Sequence, residues 1–477
     1  MDPQLARLRE HRVPAWYEDA KLGIFIHWSL FSVPAWAPRV GTITDALRDR
    51  YDDFVPHSPY ADWYENALKF PDSPTARHHR EAHAGRPYAD FREPFVAALE
   101  QWDPDAWAAR FAAAGARYVV LVSKHHDGFC LWPTAVPNPH RAGWHTERDV
   151  VGDLARAVRA RGLRFGVYYS GGIDWTFAPE PVRNLGDMIA SIPITPEYRR
   201  YARAQVEELV DRYQPDVLWN DIAWPGRTRD VHEVMASYYD RVPEGVVNDR
   251  WLPGVPFARI VRPRPVRALL NRLLARSIRK RGFAPPPPPP HCDFRTPEYT
   301  SFDTIQKRKW ESTRGLGNSF CWNRNEDPAA VPSVAELVAS LSDIVAKNGN
   351  LLLNVGPRGE DASLPEDQLE RLAGLGEWLG RSGEAIHGTR PAERAEGRTR
   401  DGAPVRFTRS GSTRYVILPG EPAGEEIFLP DPGGDPEAPV RMLGHGPVPV
   451  HRDAGYARVS WPAGAPRRHG AAWAFGA

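Results

Sequence analysis

The feature that most limits the fold of this chain is a repeated alternation of short apolar runs with longer stretches of helical periodicity. The apolar runs span 23–27, 118–123, 163–169, 216–219, 246–248, 319–322 and 351–355. Between them, 151–161, 197–213, 230–239, 333–347 and 366–379 place apolar residues at the i, i+3, i+4 spacing of amphipathic helices. Runs of continuous apolarity suit strands buried on both faces, and such strands need helices on the outside of a parallel sheet. The pattern predicts a (β/α)8-like barrel over 1–387, with one or two strands too weak to place. After 387 the texture changes to short segments such as 405–408 and 414–418, broken by Gly, Pro and Asp. That pattern predicts a small antiparallel β-sandwich over 388–477. A length of 477 residues suits a barrel of about 250 residues or more with an accessory domain.

Charge narrows the partner. Lys and Arg number 61 and Asp and Glu 60, so the whole chain gives no electrostatic case for nucleic acid or a membrane surface. Neither is expected to bind; a small, neutral molecule is. Cys130, Cys292 and Cys321 form no C-x-x-C pair, which argues against a disulfide framework and a structural zinc site. The first 20 residues contain Arg7, Arg9, Glu10, Arg12, Glu18 and Asp19 and no apolar core. No stretch is read as the roughly 20 apolar residues of a membrane span. The expectation is a cytoplasmic protein. The 17 tryptophans hint at sugar, whose C–H faces stack on flat rings.

One segment, 257–291, departs from the scheme. It is strongly basic and runs into six prolines at 285–290, which predict a stiff polyproline II spacer. Leu269, Leu270, Leu273, Leu274 and Ile278 are expected on one face of a short basic helix. The segment reads as a loop insertion.

Just past the strands come His27 and Trp28, His125, His126 and Asp127, Tyr168, Trp219 and Asp221, Asn248 and Arg250, and Asn354. They gather at the C-terminal ends of strands, where barrel enzymes build their sites. No glycine-rich phosphate motif joins them, so no nucleotide cofactor is expected. Carboxylates, tryptophans and histidines in one pocket point to glycoside hydrolysis, in which one carboxylate attacks the anomeric carbon and another moves a proton. Asp221 suits the first task. Asp62, Glu65, Asp127, Glu298 and Glu311 are open candidates for the second. Histidines 125 and 126 with Asp127 could instead hold a metal, although adjacent residues on an extended strand point to opposite sides.

The blocks 16–28, 124–132, 163–170, 216–221, 247–251 and 350–357, in this order, make the chain resemble the bacterial-type α-L-fucosidases of glycoside hydrolase family 29. The resemblance runs from about residue 13 to residue 388, and more loosely to the C-terminus. It implies a barrel followed by a β-sandwich and an exo-acting, retaining hydrolysis of terminal α-L-fucose, with no metal or cofactor. Asp221 matches the family nucleophile, and Glu298, within Phe294-Arg295-Thr296-Pro297-Glu298-Tyr299, matches the acid/base. His27, His125, His126, Tyr168, Trp219 and Arg250 match positions around the fucose. Asp62 stands where close relatives carry Glu, one methylene longer, so a contact is expected to be lost or bridged by water. Trp63 and Phe320 are expected to line the wall for the sugar's C6 methyl group. Ser29 replaces a usual glycine and is expected to crowd the pocket floor. The competing expectations are a catalytically silent fucose-binding protein on the same fold and a metal-dependent hydrolase at His125, His126 and Asp127. Self-association into a homo-oligomer is also expected for such barrels.

Overall fold

In the computed structural model, residues 3–282, 288–289, 291–422, 424–435 and 437–476 are described. Seven strands lie in one sheet: β1 (Leu22–Ile26), β2 (Tyr118–Lys124), β3 (Arg164–Tyr169), β4 (Val217–Asn220), β5 (Val246–Val247), β6 (Trp310–Gly315) and β7 (Gly349–Val355). Their order is β5-β4-β3-β2-β1-β7-β6, and every neighbouring pair is parallel. Helices alternate with them on the outside, as the two-sided burial of β2 (YVVLVSK) and β7 (GNLLLNV) requires. The helix Pro196–Tyr213 shows how local signals aim the chain. Thr195 caps its start by accepting from the Tyr198 amide, Pro196 occupies the first turn, and Gln214 ends it in the left-handed conformation. Asp216 then clamps the entry to β4 by accepting from the Phe165 amide at 3.0 Å and pairing with Arg164 at 2.8 Å.

The sixth strand corrects the expectation at 319–322. It is Trp310–Gly315, whose Glu311, Ser312 and Thr313 are buried polar residues and so leave no apolar run to read. Residues 319–322 form bends at the top of the barrel instead. Segment 293–299 closes the ring between β5 and β6, its parallel ladder to β6 interrupted at Pro297. Asp293 donates its amide to Val247 O at 3.0 Å on one side. On the other, Glu311 N bonds Arg295 O at 2.7 Å, and Thr313 exchanges bonds of 3.0 Å with Pro297 and Tyr299.

The basic segment folds as two helices, Phe257–Val261 and Arg264–Arg281. Its apolar residues are divided between two faces, correcting the single face expected: Ala275, Ile278 and Leu274 pack inward against a cluster that includes Tyr51, Trp63 and Trp175, while Leu269 and Leu273 face out. Most of the predicted polyproline spacer lies outside the described residues. The segment 328–346 reaches a mean hydropathy of 1.5, which by length and composition alone would suit a membrane span. Its helix Val334–Ala346 packs between β7 and the C-terminal sheet, with Leu337, Val338 and Leu341 buried.

From Arg390 the strands are antiparallel. β8 (Arg390–Arg398), β9 (Pro404–Ser410), β10 (Thr413–Leu418), β12 (Val440–Met442), β13 (Gly446–Pro447) and β16 (Ala471–Phe475) form a sheet in the order β13-β12-β16-β10-β9-β8. A second sheet has the order β11-β15-β14, from β11 (Glu426–Pro430), β14 (Val450–Asp453) and β15 (Tyr456–Ser460). Alternate residues such as Val405 and Phe407, Val416 and Leu418, and Ile427 and Leu429 fill the space between them with Trp473, the core of a sandwich. Arg406 Nε on β9 bonds Asp343 on the barrel helix at 2.6 Å.

Candidate active site

The residues past the C-terminal ends of the strands converge on one pocket. Asp221 follows β4, where the chain turns sharply: Ile222 has φ 66°, and Ala223 N bonds Asp221 O at 2.8 Å. This is a γ-turn of the strained, positive-φ kind, and Ile is a residue that seldom adopts it. The turn aims the Ile222 amide at Asp221 Oδ1, 2.7 Å away. Tyr168 OH donates to Oδ2 at 2.8 Å, and Arg250 Nη1 reaches Oδ1 at 3.2 Å.

Arg250 holds a second carboxylate with its other terminal nitrogen. Nη2 lies 2.5 Å from Glu298 Oε1, and Nε donates to Thr296 Oγ1 at 3.1 Å. Burial alone would lower the guanidinium's pKa, but Glu298 and Asp221 outweigh it and push it up, so the cation is permanent. Tyr60 OH, 3.3 Å from Glu298 Oε2, is a contact that no motif in the sequence announces. The next residue, Tyr299, also has positive φ, at 52°.

Of the five carboxylates open to the second role, the structure brings two to this side of the barrel. Glu298 shares Arg250 with Asp221. Asp62, buried, has Oδ2 3.7 Å from His125 Nε2 and Oδ1 without a hydrogen-bond partner. Its carboxyl is pushed up to about 7, first by burial and then by the charges of Asp221 and Glu298. The other three are engaged elsewhere. Glu65 pairs with Arg141 at 3.1 Å. Asp127 accepts from Tyr88 OH at 2.8 Å and from the Phe129 amide at 3.0 Å, which turns it away from a shared metal with the two histidines. Glu311 lies beneath the pocket and accepts from Tyr17, Tyr118 and the Trp219 indole.

The histidines are held neutral, and their networks assign their tautomers. Burial pushes His27 and His126 down to about 4 and His125 well below its ordinary value. Asn354 uses its amide nitrogen on the carbonyls of Phe320 and Val355, so its Oδ1 accepts from His27 Nδ1 at 2.5 Å. Ser170 donates to Ile173 O, so its Oγ accepts from His126 Nδ1 at 2.6 Å. Each ring therefore keeps a bare Nε2 as acceptor, and that of His126 lies 3.9 Å from Asp221 Oδ2. The expectation that His125 and His126 point apart is corrected: their ring centroids are 4.1 Å apart. β2 has ended at Lys124, and its register to β3 shifts between Val122 and Lys124, so the period-2 rule no longer holds at the histidines.

Aromatic rings complete the walls. Trp63 meets His126 edge-on at 4.8 Å, Phe320 stacks on His27 at 5.1 Å, and Tyr168 lies between His125 and Trp219. Trp219 turns its N–H away to Glu311 and offers only its ring. Ser29 is buried at the head of the turn Leu30–Ser32, its amide 3.4 Å from Ser32 Oγ.

A protein-family model described as α-L-fucosidase matches residues 1–258 and 278–384. The chain belongs to the α-L-fucosidase family. It is on that ground a glycoside hydrolase. The tissue α-L-fucosidase of Bos taurus is 30% identical over 453 residues, which cover 93% of this chain and 82% of that protein. The tissue α-L-fucosidase of Homo sapiens is 30% identical over 454 residues, covering 93% and 83%. Among solved structures, a Thermotoga maritima α-fucosidase in complex with a mechanism-based inhibitor is 42% identical, with a TM-score of 0.80 and 98% of both chains covered. A Thermotoga maritima α-L-fucosynthase in complex with α-L-Fuc-(1-2)-β-L-Fuc-N3 is 41% identical, with a TM-score of 0.82 and the same coverage.

Proposed function

We propose that this protein is an exo-acting, retaining α-L-fucosidase that releases terminal α-L-fucose from oligosaccharides or glycoconjugates. The observation that carries the reading is the bridge made by Arg250, whose two terminal nitrogens hold Asp221 at 3.2 Å and Glu298 at 2.5 Å. Two carboxylates fanned on one guanidinium suit the spacing of about 5 Å used in double displacement better than the wider gap that admits a water between them.

In this reading Asp221 attacks the anomeric carbon as the bond to the aglycone breaks, and Glu298 passes its proton to the departing oxygen. The product is a β-fucosyl ester of Asp221. Water then attacks that carbon, gives its proton to Glu298 and frees both fucose and Asp221. Tyr168, the Ile222 amide and Arg250 fix the nucleophile before substrate arrives, which is preorganisation rather than movement. The bare Nε2 atoms of His27 and His126 accept from sugar hydroxyls, and the unpartnered Asp62 Oδ1 and His125 Nδ1 take two more polar partners. Trp63 and Phe320 offer apolar surface to the C6 methyl group. A relative that is crystallised with a mechanism-based inhibitor supports a covalent step.

The test is hydrolysis of an aryl α-L-fucoside. Asp221→Gly should abolish it and, with azide, return activity as β-fucosyl azide. Glu298→Ala on an activated aryl fucoside should be rescued by azide as the α-azide. An Asp221→Gly variant that keeps its activity, or a Glu298→Ala adduct of β configuration, overturns the assignment.

A further inference from the structure

The helix Arg264–Arg281 and the short helix before it carry every large hydrophobic side chain that stands exposed among the described residues. Phe257 is 59% exposed, Ile260 57%, Val266 41%, Leu269 58% and Leu273 54%. Val266, Leu269 and Leu273 follow i, i+3, i+7 spacing and so form one stripe. The opposite face is already occupied. Asn271 Oδ1 accepts from Tyr51 OH and the Gly186 amide, Arg267 pairs with Asp187 at 3.1 Å, and Ala275 and Ile278 are buried. The helix is therefore fixed to the barrel while its outer stripe stands exposed among the described residues.

Charge identifies what fits that stripe. Residues 257–282 hold nine basic residues and no acid, in a chain whose net charge is +1. Arg259, Arg264, Arg272, Arg276, Arg279 and Lys280 are exposed, and no acidic partner holds them among the described residues. The expectation of no membrane partner came from net charge, which averages this concentration away. A face of Leu and Val flanked by Arg is the composition of a helix that lies in a bilayer interface. Against a copy of itself the same face is repelled, and nucleic acid would leave its aliphatic side chains in water. The family model also leaves out 259–277, most of this feature, so the shared chemistry of the family does not account for it.

We propose that the helix Arg264–Arg281, with Phe257 and Ile260, docks this protein on anionic phospholipid surfaces. Its inner face shares a cluster with Trp63 and Trp175, so docking sets the bilayer beside the wall of the candidate site.

The full-length protein is tested by flotation with vesicles of phosphatidylcholine and phosphatidylglycerol, and with vesicles of phosphatidylcholine alone. Binding is expected only with phosphatidylglycerol, and it should fall as salt rises. Arg272→Glu with Arg276→Glu should lower the partition coefficient by at least about 25-fold, from about fivefold for each charge removed. Leu269→Ser with Leu273→Ser should abolish flotation. Both variants replace exposed residues and should hydrolyse an aryl fucoside in free solution like the wild type. Three results each overturn the proposal: no flotation of the wild type with phosphatidylglycerol, a leucine variant whose sedimentation mass falls while flotation persists, or duplex DNA binding that displaces vesicles and ignores the leucine change.

Discussion

Replacing Glu311 by glutamine alters a single group in the middle of the barrel and should stabilise the protein at alkaline pH. Glu311 is fully buried on β6, where Oε2 accepts from Tyr118 OH at 2.6 Å and Tyr17 OH at 2.8 Å, and Oε1 from Trp219 Nε1 at 3.2 Å. Burial pushes its carboxyl up from 4.5 to about 7; the three hydrogen bonds and the charge of Lys309 pull it back without overcoming that. An acid whose folded pKa exceeds its unfolded one holds its proton in the folded state while the unfolded chain has lost it. Stability therefore falls as pH rises from about 4.5 to about 7 and stays reduced above that. A gap of roughly 2.5 pH units at ~1.36 kcal/mol each amounts to about 3 kcal/mol. Glutamine cannot ionise and has the shape of the protonated acid. It keeps the acceptor for Trp219, while the tyrosine hydroxyls rotate to receive its amide. Thermal unfolding of wild type and Glu311→Gln across this range should give midpoints that diverge with rising pH in favour of the variant. Asp62 and Asp293, both also raised to about 7, are common to the two proteins and cancel in the difference. A difference independent of pH, or a variant less stable at pH 8, refutes the account.

Two further outcomes concern the pocket. Arg250→Met leaves Asp221 and Glu298 facing each other without their cation, and losing a charged group preorganised on both carboxylates should lower kcat/KM at least about 100-fold. Arg250→Lys should not recover it, because one ammonium cannot span two carboxylates as a planar fork does. Asp62 titrates near 7, so the pH profile of fucoside hydrolysis should change slope there. Asp62→Asn, which donates like the protonated acid, should keep the acid-side rate and remove that change of slope; a profile with the same inflection assigns it to another group.

How much of this was legible in the sequence depends on what each residue had to signal. β2 and β7 announce themselves because both faces are buried in apolar surroundings, and 118–123 and 351–355 are close to their observed spans. β6 is silent because its buried side chains are polar. Glu311 serves Tyr17, Tyr118 and Trp219, and such partners come from strands that the sequence cannot bring together. The same limit left five carboxylates open beside Asp221. Only in three dimensions are Glu65 and Asp127 taken up by Arg141 and Tyr88, leaving Glu298 and Asp62 at the pocket. Tyr60 gave no signal, since a tyrosine in a loop reads as packing. The basic segment was legible in composition, but its two faces were not, because five apolar residues on a helix do not say which of them the barrel will cover.

The least legible feature is the backbone itself at the two carboxylates. Ile222 and Tyr299, each following a proposed catalytic residue, have φ of 66° and 52°. Nothing in a sequence predicts this of a β-branched or an aromatic side chain, for which positive φ costs on the order of 1–3 kcal/mol. Such strain persists only where the surroundings fix it, and both places are fixed. Asp221 O accepts from Ala223 N and Gly172 N, and a Cβ on Gly172 would come within 2.5 Å of Ala223 N, so only glycine permits that approach. Tyr299 N is tied to Thr313 O at 3.0 Å, while Pro297, which has no amide to donate, removes one bond from the ladder to β6 without shifting its register. A strand there alternates its side chains in and out of the ring. The register holds across Pro297, with Arg295 opposite Trp310 and Glu298 opposite Thr313, so Phe294, Thr296 and Glu298 all face inward and the alternation itself sets Glu298 on the guanidinium that Asp221 already holds.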